Sequence, residues 1–264
     1  MKKNGWRSFL YLGMVLILMY LPIIVTVLYS FNANTSRFTF QFTGFSLQHY
    51  KALLADTNGL LDALWQSLQL ALYSCLISAV LGTLGAVGMA RRKFRFAGAL
   101  EGLALLPAMT PEIIMAMGFL AIFTAVGLPF GMLTLILAHV TFCVPYIYIV
   151  VKGRLAGMDP DLPNAARDLG ASPMRAFCSV TLPLIFPGVL SGTLLAFAMS
   201  MDDFVISFFV SGPGTTTLPV KIYSSVRMGV SLQVNALSTL MLGTVFLLMA
   251  LFRLLRRRRA VQTT

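Results

Sequence analysis

Acids are scarce in this sequence. Nine Asp and Glu stand among 264 residues against twenty Lys and Arg, and charged residues of both signs make up only 11% of the chain while 58% is hydrophobic. A soluble domain carries roughly 25% charged residues, so a water-soluble globule is excluded. Cysteine is limited to Cys75, Cys143 and Cys178, scattered without a CxxC pair. Neither a disulfide framework nor a zinc site follows, and the three read as small apolar residues. No GxxxxGK[ST] loop is present, so the chain does not hold ATP by that route and energy for pumping must come from a partner. HExxH and GxSxG are absent as well, which removes two common hydrolase sites.

What the sequence has is long apolar runs: Phe9 to Phe31, Ser67 to Ala90, Ala99 to Val126, Met132 to Val151, Leu184 to Val210 and Ala236 to Leu255. Each is near the roughly 20 residues that a helix needs to cross a bilayer, so an all-α polytopic membrane protein with six transmembrane helices is expected. The first run is too long for the apolar core of a signal peptide and lacks a small-residue cleavage site, so it is expected to be retained.

The cations decide the orientation. With the N-terminus inside, Lys2, Lys3, Arg7, Arg91, Arg92, Lys93, Arg95, Lys152, Arg154, Arg167, Arg175, Arg253 and Arg256 to Arg259 fall in cytoplasmic segments, and only Arg37, Lys51, Lys221 and Arg227 fall outside. That bias predicts cytoplasmic termini. The basic tail 256–264 reads as a topology anchor beside the last span, not as a nucleic-acid contact.

Small residues recur at four-residue spacing as Gly82, Ala86 and Ala90 in the second run and Gly188, Gly192, Ala196 and Ser200 in the fifth. Such stripes let helices approach closely. The inner loop 157–183 contains two helix starts and a stop. Asp161 with Pro163 is an N-cap signal, Gly170 a C-terminal cap, and Ser172 with Pro173 a second N-cap. The first helix is too short to stand alone in water and needs packing; its exposed face is Ala165, Ala166 and Leu169.

Asn164-Ala165-Ala166-Arg167-Asp168-Leu169-Gly170-Ala171-Ser172, with Leu182-Pro183 after it, resembles the EAA loop of ABC-importer permeases, with Asn164 in place of the usual Glu. Other stretches are similar to spermidine/putrescine importer permeases of the PotC type. These are Tyr29-Ser30-Phe31-Asn32 with Gly44-Phe45-Ser46 and Tyr50, Ala138-His139-Val140-Thr141-Phe142-Cys143, Ser200-Met201-Asp202-Asp203-Phe204, Val210-Ser211-Gly212-Pro213-Gly214, and Asn235-Ala236-Leu237. The resemblance implies a type I ABC importer permease fold in a bacterial inner membrane. It implies a polyamine-carrying channel shared with a second permease as a heterodimer, two ATP-binding subunits and an extracytoplasmic polyamine-binding protein. Asn164, Ala165, Ala166, Asp168 and Gly170 then belong to the element that couples to the ATPase. One transmembrane domain, 9–264 with a core of about 67–255, follows a short cytoplasmic N-terminus, 1–8. A permease for another solute, such as a metal ion, an amino acid or another small organic cation, is the alternative.

Glu112 in the third run, and Asp202 and Asp203 in the fifth, are acids inside spans. Each costs about 2.5 to 3.5 kcal/mol at a helix centre, so they are expected to face a cavity, a partner helix or water. Counted at about 1.5 Å per residue from the inner ends, Glu112 is roughly 20 Å deep and Asp202 roughly 27 Å. Polyamines are flexible methylene chains bearing ammonium groups, so their path needs spaced carboxylates and apolar walls. Glu112, Asp202 and Asp203 are the candidate path residues. Adjacent helical residues point about 100° apart, so one of Asp202 and Asp203 is expected to line the path and the other to bond a neighbouring helix. Pro107 and Pro111 are expected to break or kink the third helix. His139 has no acid or second histidine near it in sequence and reads as a packing residue. His49, with Tyr50 and Phe45, belongs to an outer segment, 32–66, suited to docking a binding protein or to covering the chain's own helices.

No catalytic residue, cofactor or metal is called for. An intramembrane aspartyl protease would need two convergent carboxylates sharing a proton, and it would leave the cytoplasmic loop without a purpose; a passive channel is weakened by the same loop.

Overall fold

The structure is a computed structural model and describes residues 5–36, 41–91, 95–227, 229 and 231–261. Lys2, Lys3, Arg37, Arg92 and Lys93 of the charge pattern lie outside the described residues, as do the side chains of Arg7, Arg91 and Arg256 to Arg259. Among the described residues five helices are long and apolar enough to cross a membrane, and a sixth span is formed if a bent pair counts as one. The residues cluster into two compact units, Met1–Asp62 with Ile222–Thr264, and Ala63–Lys221.

The first unit contains α1 (Gly5–Ser30), the short α2 (Gln48–Leu54) and α12 (Leu232–Val261). Both α1 and α2 pack on α12. Between α1 and α2 the chain folds on the buried side chain of Asn32, whose Oδ1 accepts from the Thr43 amide at 3.0 Å and whose Nδ2 donates to the Gln41 carbonyl at 2.9 Å. The Tyr50 ring packs at a tilt on Phe31, with centroids 5.2 Å apart, and its hydroxyl meets Ser30 Oγ at 2.7 Å. His49 Nε2 sits 2.9 Å from the Asn34 carbonyl. The beginning of the outer segment is therefore folded onto its own unit. Asp56 takes the first amides of α3 (Leu60–Arg91), from Leu61 at 2.9 Å and Asp62 at 3.1 Å. This capping starts the second spanning helix several residues before the apolar run at Ser67.

In the second unit α6 (Met132–Ala156) carries the core, with Leu135, Ala138, Cys143, Ile147 and Val151 fully buried. It packs most extensively on α9 (Leu182–Asp202). Small residues make this close approach work. A Cβ added to Gly192 would come 3.1 Å from Ile147 Cα, and one added to Gly82 of α3 would come 3.0 Å from Ile147 Cβ. Ile147 is thus gripped by both small-residue stripes, though Ala90, the last member of the first stripe, is exposed.

The third apolar run is not one straight helix. It divides into α4 (Ala97–Met109) and α5 (Glu112–Ala125), bent by 105°. Pro111 has no N–H for the Pro107 carbonyl, and it holds Thr110 extended at ψ 134°. Pro107, the other candidate breaker, stays inside α4. Counting depth along a straight helix therefore fails for Glu112. Glu101, one turn into α4, pairs with Lys152 near the C-terminal end of α6, while α5 leads through residues 126–131 into the N-terminal end of α6. The bent pair connects the two ends of α6, as a single broken span would, and counted so it brings the candidate spans among the described residues to six.

Candidate functional site

The fifth run also breaks, which corrects the expectation of a single helix from Leu184 to Val210. Helix α9 stops at Asp202, and α10 (Val205–Val210) begins after an extended Asp203 at ψ 118°. The cause is the Asp203 carboxylate. Its Oδ2 accepts from the Ser207 amide at 2.8 Å and the Ser207 hydroxyl at 2.7 Å, and its Oδ1 accepts from the Ile206 amide at 3.2 Å. These bonds satisfy the free amides of the first turn of α10 and place a negative charge at the positive end of its dipole.

From α6, His139 reaches the same break. Its Nδ1 meets Ser200 Oγ of α9 at 2.8 Å, its Nε2 meets Ser207 Oγ of α10 at 3.1 Å, and Asp203 Oδ2 is 3.4 Å from Nε2. His139 is fully buried, and its ring packs on Phe142 at 4.9 Å. Thr134, also on α6, donates to the Val210 carbonyl at 2.8 Å and so ties down the far end of α10.

The two neighbouring acids have opposite surroundings. Asp203 is buried and its oxygens are engaged within the unit, whereas Asp202 is exposed at the last residue of α9. Glu112 is also exposed, at the first residue of α5 and directly after the Pro111 break. Helix α10 packs against α5, so the two broken segments are neighbours. Each open carboxylate stands where a helix is interrupted, and on α5 the exposed apolar side chains of Ile113, Ile114 and Met117 follow Glu112.

On the loop between α6 and α9, α7 (Leu162–Asp168) is followed by α8 (Pro173–Ala176) and a π-helical turn, Phe177–Thr181, that runs into α9. Gly170 has φ +89°, its amide donates to the Arg167 carbonyl at 2.9 Å, and the Ala171 amide donates to the Ala166 carbonyl at 3.0 Å. These two bonds form a Schellman cap. Ser172 caps α8 by accepting from the Arg175 amide at 3.3 Å. Asp161, expected as the N-cap of α7, makes no side-chain cap; its backbone is helical, and its amide instead donates to Asp159 Oδ1 at 2.9 Å. Asn164, Ala165 and Asp168 are exposed, Ala166 is half-buried, and Leu169 is 90% exposed. Pro163, Arg167 and Ala176 face Ala90, Leu155 and Met158 across a cavity between the loop and the ends of α3 and α6.

Sequence reasoning misses two contributors. The partners of His139 are distant in the chain and meet it only because the stripe Gly188, Gly192, Ala196 and Ser200 docks α9 on α6. The Glu101–Lys152 pair joins the start of one span to the end of the next, and its only signal is that both residues fall toward the same membrane face.

The family described as binding-protein-dependent transport system inner membrane component matches residues 78–261. The putrescine transport system permease protein PotI of Escherichia coli K12 is 42% identical, the match covering 92% of this chain and 88% of that protein. The spermidine/putrescine transport system permease protein PotC of the same strain is 38% identical, covering 93% and 92%. Among solved structures, a chain of a bacterial ABC transporter involved in the import of the acidic polysaccharide alginate superposes with a TM-score of 0.74 at 12% identity, over 97% of this chain and 98% of that one. At that identity the likeness is one of fold.

Proposed function

The chain belongs to the family of binding-protein-dependent transport system inner membrane components, and on that premise we propose that it is the permease subunit of an ATP-driven importer for polyamines. It forms half of the channel with a second permease, takes cargo from an extracytoplasmic polyamine-binding protein, and receives force from two ATP-binding subunits. It carries no ATP site of its own, and hydrolysis belongs to the separate ATPase. The substrate class rests on relatives named for putrescine and for spermidine/putrescine. Six crossings put both termini on one side, and the bias of cations makes that side the cytoplasm.

The observation that carries the reading is the division between Asp202, open at a helix end, and Asp203, tied into the fold. An open carboxylate in a bilayer-spanning segment is costly unless it meets water or a cation. Asp202 and Glu112 are the path carboxylates, and apolar side chains around them suit the methylenes of a polyamine. On the inner face α7 is the coupling element. Ala165 and Leu169 present its packing surface, and with Asn164 in place of an acid the contact with the ATPase is one of shape more than of charge.

The test is uptake of labelled putrescine and spermidine by the complete transporter in proteoliposomes. Asp202→Asn and Glu112→Gln should each reduce uptake about tenfold, the effect of losing one charged contact, while assembly stays intact. Unchanged uptake in both variants overturns the path assignment.

A further inference from the structure

Asp202 belongs to a break in the chain that a helix from elsewhere in the unit holds in shape. The imidazole of His139 reaches both sides of that break, with Nδ1 on Ser200 of α9 and Nε2 on Ser207 of α10. An imidazole is rigid, so bonding both hydroxyls fixes the end of one helix relative to the start of the next. The protons can be placed. An ionised Asp203 only accepts, so the single hydroxyl hydrogen of Ser207 is spent on Asp203 Oδ2 at 2.7 Å. Ser207 Oγ must then accept from His139, which puts the ring hydrogen on Nε2, also 3.4 Å from Asp203 Oδ2. Nδ1 pairs with the Ser200 hydroxyl at 2.8 Å. Every polar atom of the cluster is used, and its bonds join Ser200, before Asp202, to Asp203 and Ser207, after it.

We propose that His139 is a positioning residue for transport: from α6 it pins the α9–α10 break and so sets where the Asp202 carboxylate stands in the path. The inference rests on the reading of Asp202 as a path residue. A leucine of similar size would fill the same buried space, but it would leave the hydroxyls of Ser200 and Ser207 each short of a partner and let the break relax.

The test is a double-mutant cycle in the complete transporter, with labelled putrescine uptake normalised to the amount of permease in the membrane. His139→Leu and Asp202→Asn should each lower uptake about tenfold. If His139 acts through Asp202, the double variant falls no further than Asp202→Asn alone. His139→Gln, whose amide nitrogen reaches the place of Nε2, should recover at least half of the lost uptake. A multiplicative loss of about a hundredfold in the double variant, with Asp202→Asn impaired alone, overturns the positioning role and leaves the path reading standing. Full uptake in Asp202→Asn overturns both. Should His139→Leu fail to reach the membrane, the cycle is run with His139→Asn, too short to span the break; equal uptake in His139→Asn/Asp202→Asn and Asp202→Asn supports the proposal, and a further drop overturns it.

Discussion

Gly192 of α9 lies so close to Ile147 of α6 that a methyl group on the glycine would be 3.1 Å from the isoleucine Cα. Backbone stands behind that contact, so the neighbour has little freedom to give. Overpacking of this kind costs about 1 to 3 kcal/mol. Gly192→Ala should therefore lower the thermal midpoint of the purified protein in detergent, and Gly192→Leu should abolish assembly. Gly243 in α12 has open space where its Cβ would go and serves as the control, with Gly243→Ala expected near neutral. Equal midpoints for the two alanine variants would remove the tight α6–α9 seam from the account of stability.

Glu101 and Lys152 join α4 to α6 at the same end of the second unit. Their side chains are 29% and 45% exposed, so screening limits the pair to about 1 kcal/mol or less. Reversing one charge, as Glu101→Lys or Lys152→Glu, places like charges together and should reduce the yield of inserted, folded protein severalfold. The double reversal should restore it. Immunoblots of membrane fractions read the outcome, and failure of the double variant to exceed either single one would show that the pair does not hold α4 to α6.

Much of this architecture is legible in the chain because bilayer physics leaves few choices. Apolar runs of about 20 residues must be helices, and stripes such as Gly188, Gly192, Ala196 and Ser200 must face something close. Local chemistry was legible too: Pro111 breaks a helix, Gly170 takes a left-handed cap, and Asp202 and Asp203 diverge. What stayed hidden is what depends on partners far apart in sequence. Nothing around His139 announces Asp203, and hydropathy rates residues 184–210 as one run because the break at Asp203 comes from a side chain capping its own downstream amides. The amphipathic α11 (Leu218–Arg227) and the short α2 escape for a different reason: neither is apolar or long enough to register as a span.

Gly170 has φ +89° with nothing within 4 Å of where a Cβ would be. Within this chain the constraint is conformational rather than steric, since a left-handed backbone costs an ordinary L-residue about 1 to 2 kcal/mol. Gly170→Asn, which tolerates that conformation, should keep most uptake. Gly170→Val should lose both uptake and the stimulation of ATP hydrolysis by transport. Both rates are measured on the same proteoliposomes. If asparagine and valine are equally harmful, bulk against the ATPase partner, not the Schellman cap, is what the position forbids.

Asp203 separates stability from transport. Its carboxylate accepts three hydrogen bonds from Ile206 and Ser207 and faces His139. Asn at this position offers one acceptor oxygen for those donors and brings an NH2 group against the Ser207 amide. Leaving one or two buried donors unmatched costs about 1 to 3 kcal/mol each. Asp203→Asn should therefore lower the thermal midpoint clearly, whereas Asp202→Asn, whose carboxylate is exposed, should leave the midpoint within experimental error while lowering uptake. Scanning fluorimetry beside uptake assays on the two variants gives the comparison. The opposite pattern, a stable Asp203→Asn and an unstable Asp202→Asn, would exchange the roles of the two acids and with them the face that α9 turns to the path.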